Sequence, residues 1–409
     1  MKDFFNVKDI REVLEYRSDF SRTDSEEIPL EAAFGRVLAE DIISESDFPQ
    51  FRRTTMDGYA IRASSSFGAS ESSPAFLRLV GSIPMGEHPD FSVGPGEAAR
   101  ISTGGMLPEG ADSVIMLEHS EMLDEKAIEI YKSVAPGRHV IEVGEDFAKN
   151  ETVLSCGRKI RAQESGVLAA FGRDRVRVYR KPRIAVISSG DEVLPVHERP
   201  RKGQIRDINT YTLSALIQEC GAVPLSFGIV KDDYQMLLET CRKAAARSDM
   251  VLISGGSSVG SRDYTIAVLS ALADTEILVH GISVSPGKPT ILARTGSRRA
   301  VWGLPGHAVS AMVVFITIVR PFIEYISGFS AQSAHHIKIP ARLSRSLASA
   351  QGRSDFVRVR LLKKNGETLA EPVLGKSGLL SSMVRADGLL EIERDTEGLE
   401  KGEHVWVMI

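Results

Sequence analysis

The stretch RIAVISSGDE, residues 183–192, decides the fold of this chain. Its first six residues form a short apolar run typical of a buried strand, and a glycine turn with two adjacent carboxylates follows it. Beyond this strand, helix-like and strand-like runs alternate. Strands are predicted over residues 184–187, 223–230 and 250–253, and helices over residues 211–219, 233–247 and 264–272. This alternation predicts a doubly wound, mostly parallel α/β domain over residues 181–330.

The segments on either side of this domain have different patterns. Residues 51–146 consist of short alternating runs with Gly and Pro between them, which predicts an inserted small, mostly β domain. Residues 1–50 and 147–180 form a helical and linking domain, with helices predicted over residues 8–18 and 28–43. Residues 335–409 return to alternating runs, which predicts a small C-terminal β domain. The expected fold is therefore a multidomain α/β plus β protein.

Composition excludes several classes of protein. With 409 residues, 43% of them hydrophobic and 25% charged, the chain is neither disordered nor a coiled coil. The net charge of −4 disfavours nucleic acid or an anionic membrane as the main partner. The apolar run 308–319 is shorter than the roughly 18 residues that a membrane span needs. No signal peptide and no paired-cysteine motif is apparent, so we expect a cytoplasmic protein.

The residues after the predicted strands are the candidates for a site, because ligands of such sheets bind beyond the carboxyl ends of the strands. The turn Ser189-Gly190-Asp191-Glu192 offers carboxylate oxygens, which suit magnesium. In the alternative interpretation, Asp191 only caps the following turn.

A glycine-rich turn, GGSSVG at residues 255–260, follows the strand at 250–253 and leads through Asp263 into a helix. Such a turn exposes backbone N–H groups to an anion, so a phosphate-like ligand is expected there. Asp263 as a plain helix N-cap is the alternative. The turns PGKP at 286–289 and GLPGH at 303–307 suit an anion too, or are rigid turns alone.

Two of these turns come close to named catalytic or phosphate-binding motifs. Residues 281–288 are not a P-loop, because the glycine spacing is too long and Pro289 stands where Ser or Thr is needed. Residues 256–260 match G-x-S-x-G, which would make Ser258 the nucleophile of a serine hydrolase. This pattern is short and lacks an upstream oxyanion segment, so the hydrolase is kept only as a minor alternative.

An ordered series of motifs extends along the chain. Its members are MDGYA (56–60), ISTGG (101–105), PEGAD (108–112), GED (144–146), SGDE (189–192), GGSSVG (255–260), DYT (263–265), PGKP (286–289) and GLPG (303–306). In this order the motifs resemble the MoeA and gephyrin E-domain family, from about Val7 to the C-terminus. QGRSDF (351–356) and GKSG (375–378) match motifs of that family's C-terminal β domain.

The resemblance implies a molybdopterin molybdenumtransferase with a MogA-like central domain and a C-terminal β-barrel-like domain. Its substrates would be adenylylated molybdopterin and molybdate or tungstate, with Mg²⁺ present and AMP released. Glu192, Asp232 and Asp263 would surround the metal, and with Asp57 and Lys288 they would be the catalytic residues. The implied cofactor-binding residues are Thr103, Gly104, Asp146, Ser189, Gly190, Gly255, Gly256, Ser257, Ser258, Gly260, Pro305, Gly306, Arg353 and Ser377.

The resemblance also implies an assembly. The family forms a homodimer in which the inserted β domain of one subunit approaches the site of the other. Asp57, Thr103 and Asp146 would then act on the partner subunit's substrate, and a molybdopterin adenylyltransferase would be a further partner.

The chain departs from the family pattern where a dianion would be captured. Family lysines five and one positions before the PGKP proline are Gly281 and Ser285 here. His307 and Ala308 replace the family's Asn and Pro after the GLPG turn. Fewer cations weaken the electrostatic capture of molybdate. The alternative function is therefore a molybdopterin- or nucleotide-binding paralogue with weak or no metal insertion.

Overall fold

The computed structural model describes residues 7–255, 264–330 and 337–409. These residues form two compact units. Asp41–Ser155 makes one of them, and the segments up to Glu40 and from Cys156 onward make the other. Asp263, Gly256, Ser257, Ser258 and Gly260 lie outside the described residues.

The N-terminal segment begins with helix α1 (Ile10–Glu15), which Asp9 caps by accepting a hydrogen bond from the Arg11 amide at 2.8 Å. Strand β1 (Ser25–Pro29) follows. The helix predicted over residues 28–43 is wrong, because that stretch contains the end of β1, a 3-10 turn at Leu30–Ala32 and strand β2 (Ile42–Ile43). Pro29 and the positive φ of 75° at Gly35 break a helix, and the backbones of Val37 and Leu38 form strand-like bridges instead.

The regular secondary structure of the unit Asp41–Ser155 is mostly β, as predicted for the inserted region. After β2 its strands are β3 (Arg53–Thr54), β4 (Gly58–Ile61), β5 (Ala75–Ile83), β6 (Glu97–Ile101), β7 (Ser113–Met116), β8 (Ser120–Asp124), β9 (Ala127–Ile130), β10 (Val140–Ile141) and β11 (Thr152–Leu154). Its main sheet has the order β7-β4-β6-β5-β9-β8. Buried side chains on both faces of this sheet, such as Ile115 and Val114, give the unit its own core.

The chain re-enters the other unit through helix α2 (Ala162–Ala170) and strand β12 (Arg175–Tyr179), which pairs antiparallel with β1. Glu164 in α2 is buried and forms ion pairs with Arg158 and Arg161. Basic residues are concentrated at 173–183, a stretch that includes β12. Carboxylates neutralise much of this positive charge: Arg175 pairs with Glu27, Arg177 with Glu40 and Arg180 with Asp249. This neutralisation favours an ordinary solvated surface over an anion-binding face.

The α/β domain follows. Its elements are β13 (Arg183–Ser189), β14 (Val193–Leu194), β15 (Ile205–Arg206), α3 (Asn209–Glu219), β16 (Val223–Val230), α4 (Tyr234–Arg247), β17 (Met250–Ser254), α5 (Thr265–Ser270), β18 (Glu276–His280), β19 (Val284–Ser285), β20 (Ile291–Arg294) and β21 (Ala300–Leu304). The sheet order is β16-β13-β17-β21-β20-β18, and β16, β13, β17 and β21 are parallel. Alternate residues of β13 enter two different cores, Ile184 one and Ala185 the other, so the doubly wound prediction is confirmed. Burial on both faces explains why RIAVIS is continuously apolar.

A long apolar helix follows β21. It comprises α6 (Ala308–Val314), a π-helical turn (Phe315–Val319) and α7 (Arg320–Ile326). Its length and composition would allow it to cross a membrane, but 67% of it is buried inside the protein. Phe322 packs edge-on against Trp302 of β21 with ring centroids 5.0 Å apart. These contacts identify it as a core helix.

The C-terminal domain is a closed barrel. Its elements are β22 (Lys338–Leu343), β23 (Leu347–Ala348), β24 (Ser354–Lys364), β25 (Glu367–Pro372), α8 (Ser381–Val384), β26 (Gly388–Ile392), β27 (Gly398–Leu399) and β28 (His404–Met408). The pairings β24-β25-β22-β28-β26 return to β24 and close the ring, which confirms the predicted barrel-like domain. Strand β19 of the α/β domain pairs in parallel with β24 at the point where the barrel meets the sheet.

Candidate functional site

A cavity of about 1160 Å³ lies at the carboxyl ends of β13, β17 and β21, and residues of the barrel domain complete its wall. It collects all the predicted site residues that the structure describes outside the unit Asp41–Ser155. These residues are Ser189, Gly190, Glu192, Asp232, Gly255, Lys288, Pro305, Gly306, Arg353 and Ser377. Residues up to 188 positions apart in the sequence therefore line one cavity, because ligands of such sheets bind beyond the carboxyl ends of the strands.

The acidic side of the cavity is built by two neighbouring parallel strands. Ser189 ends β13, and its register partner Val230 ends β16, so Glu192 and Asp232 follow adjacent strand ends. The Ser189 hydroxyl donates a hydrogen bond to Asp232 Oδ1 at 3.1 Å. Glu192 bends back over Gly190, since a Cβ on that glycine would lie 2.9 Å from Glu192 Oε2. Two carboxylates and a hydroxyl thus lie close to one strand end.

The acidic corner formed by Glu192 and Asp232 has donors that suit magnesium. Within the described residues, no group of three His, Cys, Asp or Glu side chains is arranged to hold a metal ion. The oxygens of Glu192 and Asp232 have the hard-donor chemistry that magnesium prefers, and magnesium often takes only one or two protein carboxylates beside substrate phosphate. The donor set therefore fits magnesium, with Asp263 lying outside the described residues.

Gly255 joins the strand ends. Its φ is +109°, and a Cβ there would lie 2.1 Å from the Ser189 carbonyl oxygen, so the close approach requires glycine. Its amide donates to the Leu304 carbonyl of β21 at 3.3 Å. Gly255 is therefore held against both β13 and β21.

Asn209 is a residue of this site that our sequence reasoning did not single out. It is buried, and its Nδ2 donates to the Gly306 carbonyl at 2.8 Å and to the Ser254 hydroxyl. It therefore links the last residue of β17 to the turn that follows β21. Asp207 also lines the cavity and accepts hydrogen bonds from the Thr210 amide and the Ser188 hydroxyl. The available signal was the run Asp207-Ile208-Asn209, which resembles the Asp-Ser-Asn run common in the MoeA and gephyrin E-domain family.

The cavity wall that lacks the two family lysines is held on both sides. The Lys8 amide donates to the Gly281 carbonyl at 3.1 Å, and the Ser354 amide of the barrel donates to the Ser283 carbonyl at 3.0 Å. Ser285 lines the cavity, whereas the buried Gly281 is not among its lining residues. Of the two positions that lack the family lysine, only 285 therefore lies on the cavity wall.

The basic groups of the cavity are Arg206, Lys288, His307 and Arg353. Arg353 Nε lies 2.9 Å from Asp355 Oδ1, so a carboxylate partly compensates its charge. Arg206 Nε donates to the Glu198 carbonyl at 3.1 Å. Ser377 Oγ lies 3.1 Å from His307 Nδ1, which links the barrel domain to the α/β domain across the cavity.

The remaining predicted residues belong to the unit Asp41–Ser155. Asp57 Oδ1 accepts a hydrogen bond from the Thr103 amide at 2.8 Å, and Gly104 occupies the same turn with a φ of +82°. The Asp146 amide donates to the Phe48 carbonyl at 3.1 Å. The structure thus brings Asp57, Thr103 and Gly104 together.

A cavity with an acidic corner and separate basic groups, at the carboxyl ends of a doubly wound sheet and completed by a β-barrel, defines a multidomain α/β ligand-binding protein. Three family models match the chain. They are described as the MoeA N-terminal region (domain I and II) over residues 6–172, a probable molybdopterin binding domain over residues 185–325, and the MoeA C-terminal region (domain IV) over residues 340–409. The chain belongs to the MoeA family.

Similar proteins agree with this assignment. Relatives named molybdopterin molybdenumtransferase are 37% identical in Nostoc sp. (76% of this chain, 71% of that one) and 32% identical in Haemophilus influenzae (94% of each). The solved MoeA protein of Pyrococcus horikoshii OT3 is 32% identical and covers 99% of this chain and 100% of its own, with a TM-score of 0.84. None of these names favours the serine hydrolase.

Proposed function

We propose that this protein is a molybdopterin molybdenumtransferase, which inserts molybdate into adenylylated molybdopterin and releases AMP. The observation that carries the proposal is the convergence of the strand-end residues on one cavity with an acidic corner and separate basic groups. Cleavage of a phosphoanhydride needs its negative charge neutralised, and capture of an oxyanion needs cations. Membership of the MoeA family supports this assignment over a binding-only paralogue.

The acidic corner has a defined part in this scheme. Glu192 and Asp232 would hold Mg²⁺, with Asp263 as the further proposed ligand, and the bound ion would neutralise the pyrophosphate of the substrate. Ser189 keeps Asp232 oriented through its 3.1 Å hydrogen bond. Gly255 and Asn209 would keep the end of β17 and the turn after β21 in place for the nucleotide, and the turn 255–260 is the proposed pterin-nucleotide site.

The basic groups of the cavity would attract and orient the anionic substrates. Lys288, on the wall formed by residues 282–289, and Arg206 and Arg353 would act on phosphate or on the oxyanion. Pro305 and Gly306 supply backbone beside Gly255, since a Cβ on Gly306 would lie 3.6 Å from the Gly255 Cα. Tungstate is an alternative oxyanion of the same charge and geometry.

The test is AMP release from adenylylated molybdopterin by the purified protein with magnesium, with and without molybdate, while cofactor formation is followed in parallel. Molybdate-dependent AMP release with cofactor formed is the expected result. Tight substrate binding without turnover, at any molybdate or tungstate concentration, would favour the binding-only paralogue. Asp263→Asn should abolish turnover, whereas loss of an esterase activity in Ser258→Ala would favour the hydrolase.

We further propose a cytoplasmic homodimer in which the turn that contains Asp57, Thr103 and Gly104, with Asp146, acts at the partner subunit's cavity. The substrate would be supplied by a molybdopterin adenylyltransferase. Mixing inactive Asp57→Asn and Asp232→Asn homodimers tests the shared site, because heterodimers would regain one intact site. Light scattering on the same samples establishes the dimer, and failure of a dimeric mixture to regain activity would contradict sharing.

A further inference from the structure

His307 contacts a hydroxyl from a different domain across the cavity. It lies at the start of α6, is exposed, and its Nδ1 lies 3.1 Å from the hydroxyl oxygen of Ser377 in the barrel domain. Within the described part of the chain, His307 forms no ion pair with a carboxylate. Its imidazole is therefore available to a ligand in the cavity.

Apart from His307, the fixed charges that line the cavity balance one another and give a dianion little net attraction. The charged groups that share the cavity with His307 are Arg206, Lys288, Arg353, Glu192, Asp207 and Asp232. The loop of Ser377 adds the exposed Lys376. Three carboxylates thus oppose the cations, Arg353 is paired with Asp355, and Ser285 contributes no charge to the wall.

We infer that protonated His307 binds the tetrahedral oxyanion substrate together with the Ser377 hydroxyl, and so supplies the charge that the family takes from a lysine at position 285. This inference rests on the proposed function and deepens it. It makes oxyanion capture in this chain dependent on pH, whereas capture by a lysine does not change near neutral pH.

Because His307 is hydrogen-bonded to Ser377, protonation of the imidazole adds a positive charge and also frees the Ser377 hydroxyl to donate to a ligand. Neutral His307 with an unprotonated Nδ1 accepts the Ser377 proton, so the hydroxyl cannot donate to a ligand. Once Nδ1 is protonated it donates to Ser377 Oγ, and the hydroxyl proton becomes free to bond an oxyanion oxygen. Protonation thus adds one positive charge and one O–H donor to the same place.

The test is molybdate affinity, measured by calorimetry on the full-length protein at several values between about pH 6 and pH 8. In the wild type, the Kd should rise with pH by up to about tenfold per pH unit, because binding takes up one proton. His307→Asn should bind several-fold more weakly at the low end and show no such rise. His404→Asn, an exposed histidine on barrel strand β28, is the matched control and should behave as wild type.

A lysine provides the converse experiment. Ser285→Lys in the His307→Asn background should restore affinity without restoring the pH dependence. An unchanged pH profile in His307→Asn, or no molybdate binding by the wild type at the lowest pH, would overturn the inference. Because binding is measured without turnover, a pH-dependent Kd without AMP release would instead overturn the proposed function and leave the role of His307 in place.

Discussion

Replacing Gly255 with alanine should push apart the ends of β13 and β17, which form part of the cavity. The added Cβ would lie 2.1 Å from the Ser189 carbonyl oxygen, against the 3.0 Å below which real Cβ contacts are essentially never found. The chain after β17 must therefore withdraw by about 1 Å from β13, a distance that exceeds the tolerance of a packed interior.

The loss of stability in Gly255→Ala has two parts, backbone strain and a steric clash, and a control variant can separate them. A non-glycine residue at a φ of +109° costs on the order of 1–3 kcal/mol, and relief of the clash adds to it. Gly203 has a φ of +85° with no atom within 4 Å of its Cβ position, so Gly203→Ala has the backbone strain alone. The excess loss in Gly255→Ala over Gly203→Ala therefore measures the close approach to Ser189.

The assay is calorimetric binding of adenylylated molybdopterin, with thermal unfolding of both variants as the stability reference. An excess of about 1.4 kcal/mol at the site would weaken binding about tenfold in Gly255→Ala, while Gly203→Ala binds as wild type. The reasoning is refuted if Gly255→Ala binds substrate with wild-type affinity and is no less stable than Gly203→Ala.

Three further predictions concern charge and burial. The hydrogen bond from Arg161, with that from Arg158, lowers the pKa of buried Glu164 to about 2, so its stabilisation is fully present above the unfolded pKa and is lost as pH falls toward 2. Glu164→Gln should lower the unfolding free energy by about 2 kcal/mol at neutral pH in urea titrations, and the deficit should shrink below about pH 4.5. Asp232→Asn should raise the magnesium concentration for half-maximal AMP release at least several-fold, and an unchanged requirement would remove Asp232 from the metal site. Burial raises the thiol pKa of Cys220 and Cys241 to about 12, so iodoacetamide at mildly alkaline pH should leave both unmodified until the protein unfolds, as mass spectrometry can report.

Much of the site was predictable because parallel strands end at one edge of a sheet. Residues 184–187 are all apolar, since their side chains alternate between two cores, and that continuity identified the central strand. Once the strands were placed, residues after β13, β16 and β17 had to be neighbours. The pairing of Asp57 with Thr103 had no such basis, and family motifs alone indicated it.

Other features depend on contacts that no local pattern contains. The apolar spacing at 28–43 resembles a helix, yet the backbones of Val37 and Leu38 form strand-like bridges to residues 159 and 178, and these long-range pairings prevailed over the local periodicity. The approach of Ser377 to His307 depends on how the barrel sits against the sheet. The contacts of Asn209 with Ser254 and Gly306 likewise join segments that are distant in sequence.

The pairing of β19 with β24 determines which side of the cavity is able to move. Val284 and Ser285 are hydrogen-bonded into the barrel on one side, and residue 8 pairs beside Ile282 on the other. Opening this wall would require a strand to separate from a closed barrel, so the wall and the barrel should exchange their amide protons as one cooperative unit. The 282–289 segment is therefore a fixed surface of the cavity, and its amide protons should exchange as slowly as those of the barrel strands.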